Sequence, residues 1–168
     1  MNFEELINKR ESVRMFSDRK VDKELIMKII NAGRLAPTAK NNQPEIIYVI
    51  ESEDAIKKLD EASPCRYNAP VVLLVCADKN IAWNKENYSS CEMDASIVSS
   101  FMILEATNLG VDNIWVKMFD ENKIKELFNL EENIVPICLI PLGYRKEEYK
   151  GSPNHLNRKN IDDIVKFI

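Results

Sequence analysis

Glycine is scarce in this chain, at 4 of 168 residues, and histidine scarcer still, with His155 alone. Neither GxGxxG nor GxxxxGK[ST] occurs, so a bound phosphate must be gripped by side chains and not by a glycine-rich loop. The four cysteines (Cys65, Cys76, Cys91, Cys138) show no CxxC spacing. With a single histidine, that argues against a structural zinc site and against a disulfide framework. Cys76 and Cys138 lie within "VVLLVCAD" and "PICLIPLG" and are expected in the core. Cys65 and Cys91, in more polar stretches, are expected as exposed thiols. No Gly-x-Ser-x-Gly elbow is present, and His155 sits in a polar C-terminal stretch, which together leave a hydrolase poorly supported. No apolar run reaches membrane-spanning length, and "MNFEELINKR" lacks the layout of a signal peptide. A cytoplasmic protein without a membrane partner is the expectation. The net charge of −4 argues against a dedicated nucleic-acid surface.

What remains is an ordinary globular composition, 45% hydrophobic and 30% charged, in a length that fits one domain over residues 1–168. Asp22 is placed to cap a helix whose face carries Leu25, Ile26, Ile29, Ile30 and Gly33 and which stops before Pro37. "IIYVI" (46–50) and "VVLLVC" (71–76) are continuous apolar runs and predict buried strands around a polar helix near 53–61. Residues 93–109 predict a helix apolar over a wide arc, ended by Gly110 in the left-handed conformation. A strand over 113–119, a helix capped by Asp120, and a strand in "VPICLIPLG" follow. Taken alone, this alternation predicts an α/β sheet with helices on both faces.

Three polar stretches do not belong to that frame. In "KRESVRMF" an extended backbone places Arg10, Ser12 and Arg14 on one side, a pattern suited to a phosphate and a neighbouring anionic or carbonyl group. A solvated basic helix end is the plainer reading. "APTAKNNQP" (36–44) carries two prolines and several amide or hydroxyl side chains, more than a turn needs, although Asx-type turns account for part of it. "HLNRK" (155–159) is, by itself, a charged tail.

In order along the chain, "RESVRMF", "APTAKNNQP", "DNIWVKMFDENKIKELF", "PLGY" and "HLNRK" resemble the nitroreductase family of FMN-dependent oxidoreductases. The resemblance implies an α+β fold, with a mixed, largely antiparallel central sheet flanked by helices, in an intertwined homodimer with flavin sites at the interface. It replaces the parallel reading above. It implies that Arg10, Ser12 and Arg14 grip the phosphate and ribityl chain and reach the ring. Pro37, Thr38, Ala39, Asn41 and Gln43 are implied to contact the flavin from the other subunit, and Arg158, with Lys159 beside it, to complete the phosphate site. The helix over 93–109 becomes dimer core. The implied activity is hydride transfer from NAD(P)H through FMN to a small acceptor of nitroaromatic or quinone type, by a ping-pong mechanism and without a protein nucleophile. A flavin-binding carrier or sensor without turnover, or another flavin-based reaction on the same scaffold such as dehalogenation or flavin fragmentation, are the alternatives. Three departures from the family pattern bear on the substrate. Glu45 stands where an aromatic residue is frequent, Lys117 stands where glycine is frequent, and the chain is too short for the extra helices of larger members.

Overall fold

The computed structural model describes all residues, 1–168. Helix α1 (Phe3–Lys9) opens on a capping box in which Asn2 and Glu5 satisfy each other's backbone N–H groups. Helix α2 (Lys23–Arg34) begins after Asp22, whose side chain makes no capping hydrogen bond, contrary to the sequence expectation. Strand β1 (Glu45–Ile50), helix α3 (Glu53–Ala62) and strand β2 (Val71–Asp78) follow, then a small hairpin of β3 (Asn84–Lys85) and β4 (Tyr88–Ser89). Helix α4 (Cys91–Asn108) is the longest element; strand β5 (Asp112–Asn113), helix α5 (Glu121–Leu127) and strand β6 (Ile134–Gly143) complete the body. Gly110 ends α4 at φ +74° as expected.

The main sheet runs in the order β1-β2-β6-β5, and every ladder is antiparallel. The parallel sheet suggested by the α/β alternation is therefore not formed, and the α+β expectation holds. Alternation cannot reveal strand direction, because a helix can follow a strand in either architecture. The expected strand over 113–119 is also reduced: beyond Asn113 it keeps only an isolated bridge between Val116 and Leu139.

Strand β2 explains its own unbroken apolar sequence, since both of its faces are covered. Val71, Leu73, Val75 and Ala77 face Ile26 and Ile29 of α2 and Ala95, Val98 and Met102 of α4. Val72, Leu74 and Cys76 face Leu59 of α3, Ile124 of α5, and Val13 and Phe16. Helices α2 and α4 approach closely at Gly33, where a Cβ would lie 2.6 Å from Met102 Cγ. All four cysteines are buried and unpaired, so Cys65 and Cys91 are not the exposed thiols expected from their polar neighbours. Cys65 packs beneath Met118, with Sγ 3.7 Å from its sulfur, and Cys91 starts α4 against the core.

Candidate anion and cofactor site

Between α1 and the core, residues 10–14 run extended beside the sheet. Ser12 bridges Asn113, and Val13 donates its N–H to Asn113 O at 3.0 Å. Val13 is fully buried, so the alternation of an extended chain turns Arg10, Ser12 and Arg14 away from the core together. Arg10 Nη1 lies 3.4 Å from Ser12 Oγ, and Arg14 Nη1 donates to Ser12 O at 3.3 Å.

The C-terminal segment returns to this strip. His155 Nε2 is 2.8 Å from Asn8 O, and Arg158 donates to Asn154 O and Asn157 O at 3.3 and 2.7 Å. A pocket of about 180 Å³ results, lined by Arg10, Glu11, Ser12, Arg14, Ser152, Asn154, His155 and Arg158 with no hydrophobic residue among them. The Arg10 guanidinium is held below its ordinary pKa by burial and then by the nearby charge of Arg158. Four residues named from the sequence thus meet at one place. Glu11, Ser152, Asn154 and His155 were not assigned there, and only the His-x-x-Arg spacing pointed to any of them. Lys159 is exposed and outside the pocket lining.

The polar loop is a second, separate feature. None of Pro37, Thr38, Ala39, Asn41 and Gln43 lines the arginine pocket of its own chain. Lys40, Asn41 and Gln43 all adopt positive φ, at 53°, 56° and 52°. Such a conformation is uncommon for residues other than glycine and is held here by specific contacts. Gln43 N donates to Thr38 Oγ1 at 3.1 Å, Gln43 Nε2 to Asn41 O at 3.1 Å, and Asn42 Nδ2 to Ile81 O at 2.9 Å. Ala39 N donates to Asp94 Oδ1 at 2.9 Å, which anchors the loop on α4.

The two departures at single residues, Glu45 and Lys117, have a visible setting. Glu45 follows the loop with its Oε2 buried and without a hydrogen-bond partner. Its carboxyl is pushed above the usual range by burial and further by the charge of Asp94. Lys117 pairs with Glu121 at 2.8 Å and lies 4.0 Å from Glu92, so the position holds a cation where a bare backbone would leave space.

A model of the Nitroreductase family matches residues 7–67 and 64–144. A nitroreductase family protein from Clostridium difficile 630 superposes with a TM-score of 0.93 at 38% identity, covering 99% of this chain and 98% of that one. A protein of Archaeoglobus fulgidus, provisionally named NADH dehydrogenase/NAD(P)H nitroreductase, is 33% identical over 150 residues, 85% of each chain. More distant, at 25% identity over 162 residues, is the FMN reductase [NAD(P)H] of Bacillus subtilis, covering 84% of this chain and 65% of that protein.

Proposed function

Because the chain belongs to the nitroreductase family, we propose that it is an FMN-dependent oxidoreductase that takes hydride from NAD(P)H and delivers it to a small acceptor of the nitroaromatic or quinone type. The observation that carries this reading is the convergence of Arg10, Arg14 and Arg158 with Ser12 around one wholly polar pocket. A phosphate monoester brings roughly −1.5 to −2 charge at neutral pH, and two or three guanidiniums are the complement it calls for. The like-charge pressure between Arg10 and Arg158 is what a bound dianion relieves. The donor set therefore fits the phosphate end of a flavin mononucleotide.

FMN, when bound, supplies the hydride chemistry. The protein's part is to bind and orient. Arg10 and Arg158 hold the phosphate, Ser12 offers a hydroxyl along the chain toward the ring, and Arg14 supplies positive charge at the ring end. Thr38, Asn41 and Gln43 contribute hydroxyl and amide groups from a partner subunit. Two features support the homodimer that this requires. An apolar recess of about 320 Å³, lined by Phe3, Leu6, Ala32, Phe101 and Leu104 with Glu105, opens on the surface. The C-terminal Ile161, Ile164, Phe167 and Ile168 are exposed on a single chain. Both are surfaces a second copy would cover.

The test is direct. The purified protein is expected to be yellow, to release FMN and not FAD or riboflavin, to bleach with anaerobic NAD(P)H and to recover colour with a quinone. Parallel lines in double-reciprocal plots are expected if donor and acceptor use one pocket in turn. A colourless protein that takes up no FMN overturns the reading. Bound flavin that NAD(P)H never bleaches supports a carrier or sensor instead.

A further inference from the structure

Glu11 is the one acid lining the arginine pocket. By Coulomb's law a carboxylate there opposes any anion the pocket takes, so its presence needs a separate cause. Its side chain is only 9% exposed, and both oxygens are engaged. Oε1 accepts the N–H of Ser152 at 2.5 Å and the Tyr149 hydroxyl at 3.3 Å, while Oε2 accepts Arg145 Nη1 at 3.0 Å. Burial by itself raises this carboxyl's pKa, but the Ser152 N–H and Arg145 outweigh it and hold it below the usual carboxylate range.

Beyond Tyr149 the chain is hydrogen-bonded to the body at two points. One is Ser152 N on Glu11, and the other is His155 on Asn8 O. Arg158 rides on that arm. Gly151 makes the approach possible: its φ is +82°, and a Cβ there would come 2.9 Å from Glu11 Oε1.

We propose that Glu11 is a positioning residue: by clamping Ser152 it fixes the arm carrying Arg158, and so sets the preference of the pocket for a phosphorylated flavin over its dephosphorylated form. This rests on the FMN reading above. It also has a sign that separates it from simple electrostatics. If Glu11 acted only through its charge, removing it would tighten FMN binding. Acting as a clamp, its removal weakens FMN binding.

The experiment compares Glu11→Ala and Glu11→Gln with the parent by titration with FMN and with riboflavin, in the parent and Arg158→Ala backgrounds. Glu11→Ala is expected to weaken FMN on the order of 10-fold or more, the loss of a charge-assisted hydrogen bond, with riboflavin unchanged. Glu11→Gln, which keeps an acceptor for Ser152, is expected to fall between. In the Arg158→Ala background, where the arm no longer carries its guanidinium, Glu11→Ala is expected to cause no further loss. Tighter FMN binding, an equal fall in riboflavin affinity, or additive losses each overturn the proposal. Tryptic cleavage at Arg158 and Lys159 without flavin supplies an independent readout, expected to be faster in Glu11→Ala at unchanged thermal stability of the body. If the parent takes up no FMN, the functional reading fails, and the clamp is then decided by proteolysis, where an unchanged rate overturns it.

Discussion

Asp94, fully buried in the first turn of α4, accepts the backbone N–H of Ala39 at 2.9 Å while its other oxygen accepts the Ser90 hydroxyl at 2.7 Å. One carboxylate thus joins the longest helix to the polar loop. Asp94→Ala leaves the Ala39 N–H and the Ser90 hydroxyl without their acceptor and is expected to destabilise the fold by about 1.5–3 kcal/mol. Asp94→Asn, which keeps one acceptor oxygen, is expected to cost less. Urea denaturation of the three proteins checks the order, and equal midpoints would count against the anchor.

Glu45→Gln is expected to stabilise the protein at neutral pH. Glu45 has a raised carboxyl pKa, from burial first and from Asp94 second, with Oε2 unpartnered. The folded state therefore binds its proton more tightly than the unfolded chain does. By linkage, its contribution falls as pH rises from the unfolded value of about 4.3 through the folded one. The parent is expected to lose stability across that window relative to Glu45→Gln, which carries no titrating group there. Melting curves from pH 4 to 8 measure the difference, and a gap constant with pH would refute the cause.

Arg10→Ala and Arg158→Ala are each expected to weaken FMN by about 10–100-fold, corresponding to loss of a charge-assisted pair. Riboflavin, without the phosphate, is expected to bind variants and parent nearly alike. Isothermal titration with both ligands tests this, and a matching fall for riboflavin removes the phosphate assignment.

A shared site predicts complementation. Arg10→Ala and a Thr38→Ala/Asn41→Ala double variant are each expected to lose FMN as homodimers. In a differentially tagged heterodimer one site collects both lesions, while the other pairs an intact Arg10 with an intact loop. Flavin is expected to return at up to one per heterodimer. No flavin in a heterodimer shown folded by circular dichroism would mean that each site is built within one chain.

The sequence was most informative where one face or one conformation was demanded. Continuous apolar runs marked β2 and β6 because both of their faces are covered, and Gly110 marked the end of α4 through its positive φ. Arg10, Ser12 and Arg14 were legible because an extended chain sends alternate residues to one side, with Val13 buried between them. Strand direction was not legible from the residues alone, since the same apolar run serves either ladder. Glu11 escaped notice for a related reason. Its role depends on Ser152 N and Arg145, and nothing local to "KRESVRMF" announces partners contributed by the other end of the chain. Cys65 and Cys91 misled because polar sequence neighbours say little about the packing of a side chain under a later segment.

The arginine pocket closes across a separation of 147 positions between Asn8 and His155. On the ribosome, its first half therefore waits while the residues in between are added, roughly 7–30 s at about 5–20 residues per second. Until residues 152–158 emerge from the exit tunnel, Arg10 and Arg14 stand on a nascent chain without the Arg158 side of their pocket. Capture of the phosphorylated ligand proposed for that pocket would then come only after the sheet has its β6 strand.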